Sequence, residues 1–304
     1  MIRPLQIIDI AVLLLFLGRS PDNEARIRDR FNKREKESRP LVPLLRDCVV
    51  SRDSRHSLVC AEGGLIRGLA CLRKRGGPDV WEIEHLLLAR GHEGCCLDLL
   101  ERLGAAEDEI RVERLFLRLD TGSPAVDIAR QAGFGHYLTE SLYCLQGTHE
   151  SEPCEMSLEI SPESGEDEYR LFRLYSGAVP VQVRSVEGMT FQEWSRSRDR
   201  SADRESAFES EGELSAWLST RVDGTAGQFE LVTALGADEL GQIVQHGLSI
   251  LEGRHPVYCL VPEFQQPLRR VLEERGFVQV AEYSCLSKPF AVRVREPGLV
   301  PMQA

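Results

Sequence analysis

"EIEHLLLARGHEGCCLDLLERLG", residues 82–104, places an apolar run, a turn holding Gly91 and Gly94, and an amphipathic helix in direct succession. A helix that starts straight after a glycine turn points unpaired backbone N–H groups at whatever sits there, so this order can cradle a phosphate. It can equally be a structural corner.

Working outward, "HSLVCAEG" and "LIRGLACLRKR" alternate as two strands joined at Glu62-Gly63-Gly64, a hairpin signal because glycine is free to take positive φ. "GGPD" turns the chain into a third strand, "VWEIEHLLLA", and residues 97–103 carry the helix. Then follow a strand "RVERLFLRLD", a helix "SPAVDIARQAG" stopped by Gly133, and a strand "YLTESLYCL". Upstream, "RPLQII" is an expected strand and residues 10–17 a helix buried on most sides. Residues 19–39 are polar, as a surface helix or mobile loop, and "LLRDCVV" is a short helix.

The acidic stretch "GTHESEPCEMSLEISPESGEDE" has the composition of a linker. Beyond it, "VPVQVRSVEG", "GELSAWLSTRV" and "GQFELVTAL" read as strands, "GADELGQIVQHGLSIL" as a helix and "HPVYCLV" as a strand. A helix "PEFQQPLRRVLEERGF" and a strand "VAEYSCLSKPF" complete the chain. "SPAVDIARQAGF" and "QQPLRRVLEERGF" are both helices closed by Gly-Phe that lead into a strand containing Glu and Tyr, and this internal repeat is the strongest organisational signal present.

Composition limits the function. At 304 residues the chain exceeds the usual single core, so two domains of about 150 residues are expected. A formal charge of -11 argues against a nucleic-acid binder, which needs clustered Lys and Arg. Nine cysteines lack CxxC pairs or zinc spacing and read as reduced, buried thiols in a cytoplasm, with no metal. The apolar run 10–17 is far short of the ~20 residues a membrane span needs, and no cleavage pattern follows it.

The order of elements, the glycine turn, and the helix ending in Gly133-Phe134 before a Tyr-bearing strand resemble the GCN5-related N-acetyltransferase (GNAT) superfamily. The resemblance covers residues 1–146 well and 168–294 more loosely. It implies an α+β, three-layer α/β/α fold with two tandem GNAT-like domains, each a mixed central sheet flanked by helices. The expected boundaries are 1–146, an acidic linker 147–167, and a degenerate C-terminal domain 168–304.

By this resemblance acetyl-CoA is the co-substrate and a small-molecule or peptide amine the acceptor, with a homodimer left open and no membrane or nucleic-acid partner. The cofactor's pyrophosphate would sit on Arg90, Gly91, His92, Glu93, Gly94, Cys95 and Cys96, and its pantetheine arm would pair with Leu86, Leu87 and Leu88. Ser123 falls where the family often has an asparagine touching the cofactor, and a turn or N-cap role is its other reading.

The family motif fits in two registers, and each loses one element. With Gly94 at the central glycine, Gly91 stands where Arg or Gln belongs; with Arg90 first, Glu93 takes the central glycine's place. Glu82 and Glu84, on one strand face, are candidate bases, and pairing with arginines is their alternative role. The family's general-acid tyrosine position holds Ala129, leaving Tyr137 or Tyr143 as substitutes. In the second half the corresponding turn carries Asp238 and Glu239, which repel a pyrophosphate. Two functions therefore remain open: an acyl-CoA-dependent N-acyltransferase with one working domain, or a non-catalytic binding or regulatory protein on the same fold.

Overall fold

The computed structural model describes residues 1–19, 21–28, 55–75, 77, 79–92, 94–105, 112–147, 158–159, 165–198, 202–236 and 239–290. The helix expected over "LLRDCVV", most of the polar stretch 19–39, most of the acidic stretch, Glu93 and Asp238 lie outside these residues.

The first half runs β1 (Ile2–Pro4), α1 (Ile10–Leu17), β2 (Asp22–Asn23), β3 (Arg55–Glu62), β4 (Leu65–Lys74), β5 (Val80–Leu88), α2 (Gly94–Ala105), β6 (Arg114–Asp120), α3 (Ala125–Gln131) and β7 (Gly135–Leu145). The second runs β8 (Leu158–Glu159), α4 (Gly165–Ala178), α5 (Val181–Glu187), α6 (Phe191–Ser197), β9 (Arg204–Ser210), β10 (Glu213–Asp223), β11 (Ala226–Thr233), α7 (Leu240–Ile250), β12 (Val257–Pro262), α8 (Gln266–Glu274) and β13 (Val278–Pro289). The hairpin between β3 and β4 turns through Gly63 (φ 58°) and Gly64 (φ 77°), as the sequence implies.

Two expectations are corrected. "VPVQVRSVEG" is not a strand. Its β-branched residues suggest one, but Pro180 opens a helix by accepting from the N–H groups of Val183 and Arg184, and only Val183 of this helix is buried. Helix α1 is not buried on most sides: Leu13, Phe16 and Leu17 pack inward while Leu15 is 63% exposed.

Among the described residues, thirteen strands form one sheet. Its order is β1-β3-β4-β5-β6-β13-β7-β12-β11-β10-β9-β8, with β2 attached to β5. The two halves have exchanged their last strands. β13 lies between β6 and β7, pairing antiparallel with both, and β7 pairs with β12. Helices α2 and α3 bury Cys96, Leu99, Leu103 and Ala129 against one side of the N-terminal strands, and α1 packs Leu13 and Phe16 with Val59, Leu69 and Leu87 on the other. In the C-terminal half α7 and α8 cover one face and α4 to α6 the other, the latter with Leu171, Tyr175, Val183 and Trp194. The result is a three-layer arrangement of mixed sheet between helices.

Candidate functional site

Strands β5 and β6 run parallel and pair from Val80↔Arg114 to Glu82↔Phe116, after which no pairing joins them. The cause is local. On its other edge β5 matches Ile83 to Leu72 and His85 to Cys71, so Glu84 is an extra residue, and such a bulge bends its strand away from its neighbour. The strands part as a V toward the glycine turn.

Residues 22–26 fill that V. Asp22 and Asn23 pair antiparallel with Leu88 and Leu87. The Glu24 N–H donates to the Leu86 carbonyl at 2.9 Å, and the Leu86 N–H donates to Asn23 Oδ1 at 2.9 Å. On the other arm Ala25 bridges Leu119, the Arg26 N–H donates to the Arg118 carbonyl at 2.9 Å, and the Arg26 guanidinium donates to Asp120 at 2.6 Å. The backbone edges that a pantetheine arm would use on Leu86, Leu87 and Leu88 are thus taken by the chain itself. Carboxylates end the plug on both sides: Asp22 lies 3.8 Å from Arg90 Nε at the surface, and Glu24 accepts from Ser123 Oγ at 2.6 Å. Ser123 Oγ also accepts from the Ala125 N–H at 3.1 Å, in the turn that leads into α3.

At the turn, Gly91 has φ 75°, and a Cβ added at Gly91 or Gly94 would meet nothing within 4 Å, so the space above it is open. Its amides are only partly available, because the His92 N–H donates to the Ala89 carbonyl and the Cys95 N–H to the His92 carbonyl. The side chains of Cys95 and Cys96 turn inward. Cys96 is fully buried in the core, and Cys95 Sγ lies 2.8 Å from Cys60 Sγ. Burial pushes both thiols up to about 12, so neither offers a thiolate near neutral pH.

The candidate bases lie on one strand face, as alternation implies, but both are buried against arginines. Glu82 accepts from Arg73 Nη2 at 2.9 Å, and Glu84 Oε2 lies 3.3 Å from Arg55 Nε. Glu82 also begins a row of alternating charges that crosses the sheet. Its Oε1 is 4.0 Å from Arg118, Arg118 is 2.8 Å from Glu140, Glu140 is 2.7 Å from Arg28, and Arg28 is 3.4 Å from Glu230 on β11.

Tyr137 is not brought to the turn. It stands on β7, separated from β5 by β6 and β13, packs edge-on to Phe116, and donates to Glu187 Oε1 at 3.4 Å. Burial and the Glu187 charge raise its hydroxyl well above the usual phenol range. Tyr143 is also on β7 and donates to Glu273 at 3.1 Å.

The plug was not legible beforehand. Residues 22–26 belong to a polar stretch with no period, and a two-residue strand leaves no alternation to detect.

No protein-family model matches the chain, and no curated protein matches it. Solved structures do. A GCN5-related N-acetyltransferase from Sphaerobacter thermophilus is 15% identical, with 95% of each chain covered and a TM-score of 0.53. A tandem GNAT protein from the clavulanic acid biosynthesis pathway is 13% identical over 96% of this chain and 99% of its own, with a TM-score of 0.49. A GNAT-family acetyltransferase from Colwellia psychrerythraea is 9% identical over 96% of this chain and all of its own, with a TM-score of 0.44. At these identities the likeness to the first is one of fold.

Proposed function

This chain has the GNAT fold in tandem, and we propose that it works as a binding or regulatory module whose N-terminal acyl-carrier slot is kept shut by residues 22–26. The observation that carries this reading is the double pairing of that segment, to Leu86, Leu87 and Leu88 on one arm of the V and to Arg118 and Leu119 on the other. In this arrangement the residues present do not fit acetyl-CoA. The pantetheine edge is satisfied, the His92 and Cys95 amides turn inward, and the Glu24 carboxylate holds Ser123.

The chain's own groups point the same way. A general base needs a carboxylate or imidazole free to meet the acceptor amine, whereas Glu82 and Glu84 are buried and paired with Arg73 and Arg55. The family's acid position is Ala129, fully buried in the core.

One observation favours a second reading, an acetyl-CoA-dependent N-acyltransferase acting on a small-molecule or peptide amine once the plug withdraws. The strand that holds the slot is two residues long, and the space above Gly91 and Gly94 is clear.

Calorimetry separates the two. The wild-type chain is expected to show no saturable binding of acetyl-CoA up to about 1 mM and no release of free CoA thiol with a broad amine panel. Saturable binding that tightens in Asn23→Ala, which removes the Asn23 side-chain bonds to the Leu86 amide and the Ala25 carbonyl, would establish the gated enzyme instead.

A further inference from the structure

The C-terminal half has a V of its own. Strands β11 and β12 pair in parallel from Gly227↔Val257 to Glu230↔Leu260 and then separate. Among the described residues no strand pairs into this parting, although Arg28 reaches it: its carbonyl accepts from Gln228 Nε2 at 2.7 Å and its guanidinium lies 3.4 Å from Glu230. The parting opens into a cavity of about 120 Å³ between the sheet and helices α4 to α6.

Its wall carries charge of both signs, and most of that charge is committed. Arg198 is held by both carboxylate oxygens of Glu205 at 2.6 Å and lies 4.5 Å from the centre of the Trp217 ring. Arg28 is bound to Glu140 and Glu230. Two wall groups are left over. Arg75 stacks 4.4 Å from the Phe116 ring centre and, among the described residues, has no carboxylate partner; its Nε is buried without a hydrogen bond. Glu187 accepts from the Tyr137 hydroxyl at 3.4 Å and neighbours the Tyr175 hydroxyl; the Arg28 charge acts on it, but among the described residues it forms no ion pair.

A third wall group points to a ligand independently. Gln265 is 6% exposed, yet among the described residues neither its amide oxygen nor its amide nitrogen has a hydrogen-bond partner. A buried primary amide left in this state is costly unless something brings it a donor and an acceptor. The rest of the wall is apolar and aromatic, with Val183, Trp194, Trp217 and Leu231.

From these features we infer that the cavity is a binding site for a small zwitterion, an α-amino acid with an apolar or aromatic side chain. Its ammonium group meets Glu187, its carboxylate meets Arg75, its side chain lies on the Trp194 and Leu231 wall, and the Gln265 amide takes a remaining hydrogen bond. One spare cation is too little for a phosphate or a nucleotide, which call on several charge-assisted donors. Among the described residues no cluster of His, Cys, Asp and Glu could hold a metal. The site stands whether or not the N-terminal slot ever takes acyl-CoA, and its test contains none.

Titration calorimetry of the full chain with a panel of L-amino acids is expected to give saturable one-to-one binding, with Kd below about 1 mM for members with apolar or aromatic side chains. Capping either end of the best ligand, as the N-acetyl form or the amide, should weaken it at least about tenfold. Glu187→Gln should weaken the free amino acid by a similar factor while leaving the affinity of the N-acetyl form unchanged, which a general loosening of the cavity would not do. No binder below about 1 mM, full affinity for both capped forms, or a folded Glu187→Gln chain that binds the free amino acid as tightly as wild type would each overturn the assignment. The capped-ligand comparison decides the matter on the wild-type chain alone should the variant fail to fold.

Discussion

Glu140 shows what a single residue does at the middle of this molecule. It is 1% exposed, accepts from Arg118 at 2.8 Å and from Arg28 at 2.7 Å, and so joins the N-terminal segment to the exchanged strand β7. Burial pushes its carboxyl up, and Arg118 and Arg28 more than reverse this, holding it at about 2 against an ordinary 4.5. A folded-state value below the unfolded one means that the ionised carboxylate contributes stability above about 4.5, and this is lost as pH falls toward about 2. Glu140→Gln should therefore cost about 3–5 kcal/mol at neutral pH, because Arg118 and Arg28 are left buried without their shared anion. In urea unfolding, the gap between wild type and variant should narrow steadily as pH is lowered through that window. A gap that stays constant with pH would show that Glu140 acts through its shape and not through its charge.

At the scale of elements, the corner between α5 and α6 forms one wall of the C-terminal cavity and depends on a residue without a side chain. Gly188 has φ 149°, and a Cβ there would stand 2.3 Å from the Trp194 backbone nitrogen. Gly188→Ala should destabilise the chain by about 1–3 kcal/mol and red-shift tryptophan emission as Trp194 loses its packing; a neutral effect would mean that the corner yields easily. Helix α6 is not among the elements expected from the sequence, and it starts on a reciprocal cap. Thr190 accepts from the Glu193 N–H while Glu193 accepts from the Thr190 N–H, the reciprocal box that Thr-x-x-Glu spells in the sequence. Helix α4 was hidden for a different reason. Its first turn, Glu166, Asp167 and Glu168, has the composition of a linker, yet acidic residues suit a helix N-terminus. Among candidate site residues, the shared face of Glu82 and Glu84 followed from alternation, and their alternative role as arginine partners was open from the start. That the partners are Arg73 and Arg55 is a matter of strand register between β3, β4 and β5, which no single strand specifies.

For the molecule as a whole, the exchange of β7 and β13 makes each half incomplete without the other. β6 finds its outer partner in β13, and β12 finds its own in β7. The buried charge row from Glu82 to Glu230 crosses the same seam. Unfolding is accordingly expected as one transition, with amide exchange in β5 and β11 giving the same opening free energy, whereas two separated transitions would show that the halves hold independently. The sequence alone determined the alternation of strands and helices, the glycine corners, the repeat of a helix closed by Gly-Phe, and hence the GNAT-like layers, because local periodicity and φ preferences are properties of neighbouring residues. Tertiary structure alone decided which strand completes which half, that residues 22–26 enter the V beside β5, and that Arg28 reaches Glu230 on β11. Those outcomes join residues as far as two hundred positions apart, where backbone hydrogen-bond satisfaction and charge pairing in the buried seam select among arrangements that no local pattern distinguishes.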